Sequence, residues 1–480
     1  MAVSAASATP LGPTGKLVIP VAPAFTPAEQ YAYAGADWIT AAGGLTDDRY
    51  STLNQVNASN VATLKVAWHT KLGFKPGKSE AQEGNAVVYK GVMYISTGLG
   101  KVYAVDAVSG VVLWTFVPPP LTTLPLLANN RGVALGDGKV YVGALDGILY
   151  ALDQQTGSVV WKHEYGAGGV ASGYFSTAPT LYYNGMIIQG ISGGDWGARA
   201  YVLALNAKTG RELWRWYTVP SPGQAGSGTW PLGGWQKGGG AIWISSSVDP
   251  SLGLIYFVTG NPVPYNGRQP GQNLFTDAIV ALHADDGSLA WYFQTVHHDI
   301  WDYDVTNPPV IFDATINGQL KHGIATASKT GWVYILDRAT GVPLLPIVEK
   351  KVPQISKKDP GHNYANLWPT QPYVQGDAFV DQCAHKKDYK KLAPDGKPYI
   401  IGCIFTPYPA KGRSFVAWTP SSAVDWPPSG YNPTTHMEYM CATDGPGTAL
   451  GAIPRKQQKY IPGDVFAVVG ANFGSAKNPS

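Results

Sequence analysis

"YAVDAVSGVVLW", Tyr103 to Trp114, decides the fold because it returns. It recurs as "YALDQQTGSVVW" from Tyr150 to Trp161, as "VLALNAKTGRELW" ending at Trp214, and as "VALHADDGSLAW" ending at Trp291. A degraded copy, "YILDRATGVPLL", ends at Leu345. In each copy the last residue stands four positions after a glycine: Gly110, Gly157, Gly210, Gly287 and Gly341. Chance does not repeat that spacing. Each copy reads as strand, tight turn, strand, with the glycine supplying a positive φ and a preceding Asp or Asn bonding the turn. Another alternating strand lies upstream of the first four: "GVMYIST", "GKVYVGAL", "GMIIQGI" and "GLIYFVTG". Small antiparallel sheets repeated with one tryptophan per unit predict an all-β fold, a β-propeller of four-stranded blades. Each tryptophan is expected to dock one blade on the next. "LKVAWHT", around Trp68, reads as the close of an earlier unit, so about six blades are recognisable.

Composition agrees. The chain has 480 residues, 57 of them Gly and 38 Pro, and only 14% are charged, which favours a turn-rich β architecture. A net charge of +3 is too small to argue for nucleic acid or an anionic membrane surface. The basic run "HKKDYKK", His385 to Lys391, reads as a solvated loop. No apolar stretch approaches the roughly 18 to 20 residues of a membrane span. The small-residue start, "MAVSAASATP", lacks the charged and apolar regions of a signal peptide and reads as a mature secreted start. There are three cysteines and no CxxCH, so no c-type haem attaches here. Cys383 and Cys403 flank a polar insertion. A disulfide between them fits an oxidising compartment, and two free thiols are the alternative.

"HHDIWDYD", His297 to Asp304, poses the chemical question. Two histidines and three aspartates stand among aromatics. Buried carboxylates without partners cost several kcal/mol each, by order of magnitude, so something must compensate them. A bound cation is the candidate. Asp302 and Asp304 would share a face if the segment is extended.

Taken together, "YSTLNQVNASNVATLKVAW", "GGGAIW", "DPSLGLIYFVTGNPVPYNGRQPGQNLFTDAIVALHADDG", "HHDIWDYD" and "GWVYILDRATG" resemble the quinoprotein alcohol dehydrogenases, propeller enzymes that use pyrroloquinoline quinone (PQQ) and a metal ion. The likeness is dense over residues 36–345. It implies a fold of eight blades, with residues 1–35 as an N-terminal extension and 36–480 as the propeller domain. It implies that Trp243 carries the quinone ring and that Arg131, Glu83, Ser176, Ser192, Gly193 and Gly194 contact the cofactor. Asn261 and Asp302 would bind the metal, Asp302 also serving as catalytic base, and Asp195 stands where many members have a metal-binding glutamate. Asp304 would add a further oxygen. Lys329 stands where some members have an arginine beside the quinone oxygens.

The resemblance implies oxidation of an alcohol, polyol or sugar hydroxyl to a carbonyl, by hydride transfer to a metal-activated quinone. All the ligands offer oxygen, which selects a hard cation: calcium, or a lanthanide ion as the alternative. An external acceptor, a cytochrome or a quinone, and a periplasmic or secreted location follow. Family members continue past the position matching "PGDVFAVVGANFGS". The expectation is therefore a chain that is incomplete or needs a partner; a ring closing with fewer blades is the alternative. Plain structural readings stay open: Asn261 as a turn residue before Pro262, Glu83 with Arg131 as an ordinary ion pair, Asp299 as a loop anchor, His297 and His298 as satisfied structural residues. A non-catalytic propeller scaffold is the competing function.

Overall fold

The computed structural model describes residues 18–73, 80–121, 128–166, 168–231, 233–264, 271–354, 368–385, 396, 398–407, 414–417, 423–444 and 447–450. The repeats fold into four meandering antiparallel sheets. The first holds β1 (Val87–Tyr89), β2 (Val92–Ser96), β3 (Val102–Asp106) and β4 (Val112–Phe116). The second holds β5 (Ala134–Gly136), β6 (Lys139–Gly143), β7 (Ile148–Asp153) and β8 (Val159–Glu164). The third holds β9 (Leu181–Tyr183), β10 (Met186–Gly190), β11 (Tyr201–Asn206) and β12 (Glu212–Tyr217). The fourth holds β13 (Ser247–Asp249), β14 (Leu254–Val258), β15 (Ala278–His283) and β16 (Leu289–Gln294). The third strands are buried along almost their whole length, whereas β4 exposes Val112 and Thr115, and β8 exposes Val159, Val160, Lys162 and Glu164. Sheets stacked face to face produce that contrast, with the fourth strand outermost.

The fixed glycine-to-tryptophan spacing has a physical cause. The tryptophan of one unit packs under the turn glycine of the next: Trp68 under Gly110, Trp114 under Gly157, Trp161 under Gly210, Trp214 under Gly287 and Trp291 under Gly341. A Cβ at any of these glycines would stand 2.5–2.7 Å from the indole, and each has φ between +70° and +74°. Each indole N–H also donates to a turn carbonyl, as Trp114 does to Gln154 O at 2.9 Å and Trp214 to Ala284 O at 3.0 Å. The same register shift recurs between the third and fourth strands of all four sheets, so the bulge belongs to the repeat.

The degraded fifth copy forms only three strands, β17 (Val310–Ile316), β18 (Gln319–Ala327) and β19 (Val333–Asp337). Its fourth strand shrinks to one bridge, Leu336 to Pro343, since proline cannot donate to the ladder. Further on, β20 (Ile347–Lys351) pairs with β21 (Thr370–Val374). Then β22 (Ile400–Ile401), β23 (Ser414–Ala417), β24 (Gly430–Asn432), β25 (Met437–Tyr439) and β26 (Gly447–Leu450) form a mixed sheet, β22–β23–β26, and a hairpin, β24–β25. Residues 64–72 around Trp68 form no named strand, although Trp68 docks as its counterparts do. Residues 451–480, on which ring closure was expected to turn, and residues 386–391 of the basic run lie outside the described residues.

Residues 18–48 are not a detached extension. They carry one short helix, α1 (Pro27–Tyr31), and bond to sheet after sheet. Pro23 O accepts from Asp137 N, Trp38 pairs with Val88, Leu45 O accepts from Val248 N, Thr46 O from Ile311 N, and Asp48 O from Tyr431 N. Residues 38–48 thereby cover the first strands β1, β13, β17 and β24, whose edges would otherwise be open. The disulfide Cys383–Cys403 is present, and Cys441 is a free, exposed thiol.

Candidate active site

Two recurring positions face a common cavity: the segment leading into the first strand of each unit and, from the third unit on, the loop after the second strand. The first supplies Glu83, Arg131, Thr177, Trp243, Asp302 and Asp304; the second supplies Ser192, Asp195, Asn261 and Lys329. The cavity measures about 260 Å³. It brings together every site residue expected from the sequence except Ser176, Gly193 and Gly194.

Those three serve the wall from behind. Ser176 is fully buried; its hydroxyl donates to Gly190 O at 2.8 Å and accepts from the Gln189 amide at 2.7 Å. The neighbouring Thr177 faces the cavity instead, because successive side chains of an extended segment point to opposite sides. Gly193 lies so close to Gly173 O that a Cβ would stand 1.7 Å from it, and Gly194 backs onto Ala241. Among the described residues Thr177, and not Ser176, lines the cavity. The two glycines permit the close packing that lets the short turn Gly194–Trp196 present Asp195.

The "HHDIWDYD" loop is not extended: His298 and Asp302 have φ of 50° and 70°. Asp299 holds it, accepting from Trp301 N at 2.7 Å and from Tyr303 N at 2.6 Å. Trp301 and Tyr303 stack on each other, 5.5 Å between centroids, and pack on Phe405. With those two rings in the core, the alternate residues Asp302 and Asp304 reach the cavity. His297 bonds Glu349 and Gln294, and His298 bonds Gly271 O and Asn273; neither lines the cavity.

Lys329 Nζ lies 3.2 Å from Asp302 Oδ2 and 3.9 Å from Asp425 Oδ1. Asp304 Oδ2 accepts from the Trp243 indole N–H at 2.9 Å, and its Oδ1 from Asn261 N at 3.0 Å. The Asn261 amide donates to Asp195 Oδ1 at 3.1 Å. Opposite, Arg131 pairs with Glu83 at 2.7 Å, donates to Thr177 Oγ1 at 2.8 Å, and places its guanidinium 4.6 Å from the centre of the Trp243 ring. The Arg131 Nε is buried without a partner among the described residues.

Charge in the cavity is unbalanced. Glu83, Asp195, Asp302, Asp304 and Asp425 face two cations, Arg131 and Lys329. Burial pushes Asp195 up to about 6, with Asp304 adding to it. Burial pushes Asp302 well above the usual carboxylate range; Lys329 opposes the shift and Asp304, Asp195 and Asp299 reinforce it. Burial likewise raises Asp299 to about 7 against its two backbone N–H bonds. For Lys329 burial favours the neutral amine, but Asp302 and Asp304 outweigh it and keep the ammonium charged. No three His, Cys, Asp or Glu side chains among the described residues are already drawn around one point. The available donor set is mixed, carboxylates with the Asn261 amide, and all of it can present oxygen. Surplus negative charge beside oxygen donors fits a hard cation. The indoles of Trp196, Trp243 and Trp426 along the wall fit a flat ring.

Sequence reasoning missed Asn129, Thr177, Trp196, Asp425 and Trp426. Asn129 donates to both Glu83 oxygens at 3.0 Å. One signal could have found two of them: "VDWP" echoes "GDWG", an acid followed by tryptophan in a loop.

The chain is similar to known proteins along most of its length. The family described as "Glucose/ethanol/alcohol dehydrogenase, beta-propeller domain", under the heading PQQ, matches residues 38–463. The chain is 32% identical over 421 residues to the quinoprotein alcohol dehydrogenase PedH of Pseudomonas putida, covering 83% of this chain and 64% of that one. It is 36% identical over 425 residues to the quinohemoprotein alcohol dehydrogenase ADH-IIG of Pseudomonas putida, covering 85% and 54%. The crystal structure of the quinohemoprotein alcohol dehydrogenase from Comamonas testosteroni superposes with a TM-score of 0.67 at 30% identity, covering 86% and 58%. A europium-containing methanol dehydrogenase superposes with a TM-score of 0.71 at 25% identity, covering 92% and 74%. The chain thus spans about half to two thirds of the curated relatives it matches.

Proposed function

Because the chain belongs to the PQQ-dependent alcohol dehydrogenase β-propeller family, we propose that it oxidises the hydroxyl of a small alcohol, polyol or sugar to a carbonyl. One observation carries the reading. Asp195, Trp243 with Asn261, and Asp302 with Asp304 and Lys329 come from three successive units and meet at one cavity with surplus negative charge. A propeller serving only as a scaffold has no need to bury that set.

Asp195, Asn261, Asp302 and Asp304 would hold a calcium or lanthanide ion, and Trp243, Arg131, Glu83, Thr177 and Ser192 would hold PQQ. When bound, PQQ supplies the two-electron acceptor and the ion supplies Lewis acidity. A carboxylate oxygen of Asp302 takes the hydroxyl proton of the substrate, as a general base held at the wall. Lys329, 3.2 Å away, favours the ionised form of Asp302 and stabilises negative charge that develops beside it. Asp304 fixes the Trp243 indole and the Asn261 backbone, and Asp299 fixes the loop that carries the base. We take residues 36–480 as one propeller domain and propose a periplasmic or secreted location, which the Cys383–Cys403 disulfide supports. Electrons would leave to a separate cytochrome or quinone.

The test is reconstitution. Adding PQQ with calcium or a lanthanide to the purified protein is expected to change the visible–ultraviolet spectrum and to start dye-linked alcohol or sugar oxidation. Turnover with a nicotinamide alone would sink the proposal.

Metal choice has its own test. Asp304→Ala is expected to weaken binding of a trivalent ion more than of calcium, because an extra carboxylate matters most to the higher charge. Titration of both ions measures it. Equal losses would limit Asp304 to holding Trp243 and Asn261.

A further inference from the structure

A second cavity, of about 280 Å³, shares no lining residue with the first. It lies where residues 31–48 cross β17 and β24, and neither the repeats nor the proposed chemistry uses it. Four aromatic residues line it, Tyr31, Tyr33, Phe312 and Tyr431, beside Ala32, Thr46, Ile311 and Pro433. Two carboxylates, Asp48 and Asp313, also line it, with no lysine or arginine among the described lining residues. We propose that this cavity binds a small quaternary ammonium ion.

The rings supply the first half of the argument. Phe312 and Tyr431 meet at 5.8 Å with planes tilted by 45°, forming a corner that is only 8% exposed at each residue. Tyr33 stands at the mouth with 49% of its surface exposed. A cation among such rings is held by their electron-rich faces, and more strongly where water is excluded.

Charge supplies the second half. Arg338 reaches Asp313 but also binds Asp249, 2.6 Å away, so one guanidinium serves two carboxylates. His322 Nδ1 lies 2.9 Å from Asp313. Burial raises Tyr33, with Asp48 and Asp313 adding to it, whereas at Tyr31 Arg338 opposes the rise that burial causes.

Hydrogen bonding then selects among cations. Asp48 accepts from Thr46 Oγ1 at 2.7 Å on one oxygen and from Tyr50 N at 3.0 Å on the other. The Tyr431 hydroxyl is engaged by His436 at 2.9 Å. Each Asp48 oxygen thus already accepts one hydrogen bond, and Asp313 Oδ1 accepts from both Arg338 Nη1 and His322 Nδ1, so part of the acceptor capacity facing a cation is taken. That favours a cation with no N–H to satisfy over a primary amine, which would lose its water bonds without replacement.

Tetramethylammonium is the probe, since it has no hydroxyl and its binding is independent of any alcohol oxidation. Titration calorimetry on the whole protein is expected to give a dissociation constant of roughly millimolar or tighter. The neutral isostere tert-butanol should bind far more weakly, and n-butylammonium, the mimic of a lysine side chain, should also be weaker. Tyr33→Leu, at an exposed position, should raise the constant roughly threefold or more, while Tyr33→Phe keeps the ring and the affinity. The proposal falls if tetramethylammonium does not bind, if tert-butanol or n-butylammonium binds as well, or if Tyr33→Leu changes nothing.

Discussion

Asp302→Asn is expected to lower turnover of the reconstituted protein by roughly two to four orders of magnitude, the range for loss of a general base. The asparagine keeps an oxygen and nearly the same shape, but it cannot accept the substrate proton at neutral pH. PQQ affinity should change much less, because Trp243, Arg131, Glu83 and Thr177 lie on other segments of the wall. The loop should hold its course too, since Asp299 rather than Asp302 anchors Trp301 N and Tyr303 N. Measuring kcat beside cofactor binding separates these terms. Unchanged turnover would move the base away from Asp302.

Lys329→Met should be the second largest loss, roughly two to three orders of magnitude in turnover, as for removal of one donor aimed at developing negative charge. The residue is nearly buried, with 7% of its side chain exposed, and it faces Asp302 at 3.2 Å and Asp425 at 3.9 Å. Removing the ammonium leaves the carboxylates of Asp302, Asp304 and Asp195 with less compensation, so the proton on Asp302 is held more tightly. Lys329→Arg keeps the charge and should recover a substantial part of the activity. Equal loss in both variants, with the metal still bound, would make the role of Lys329 one of packing and not of charge.

The repeat was legible because its period is a packing rule. A tryptophan four residues after a turn glycine can be read from the chain, and the structure shows each indole under the next glycine, where a Cβ cannot fit. Pro343 could be read in the same way: the fifth unit loses its outer strand where the chain has no N–H to give. Asp302, Asn261, Asp195, Lys329 and Trp243 could be named from the resemblance. Asp299 was foreseen as a loop anchor, and its carboxylate accepts from the backbone N–H groups two and four residues on.

What the sequence by itself determined is local: strand alternation, turn glycines, the order of the units, and which residue types stand at the two recurring cavity positions. Neighbour-to-neighbour geometry sets these, and a linear chain records it. Only the tertiary structure decided which side chains meet. Thr177 and not Ser176 reaches the cavity, because the Gln189 amide and Gly190 O capture the serine from behind. Asp425 and Trp426 join the wall from nearly a hundred residues beyond Lys329. Residues 38–48 cover the first strands of several sheets. Contacts of that kind depend on the angle at which one sheet is laid on the next and on side chains distant along the chain, and no spacing in a single sequence carries that angle.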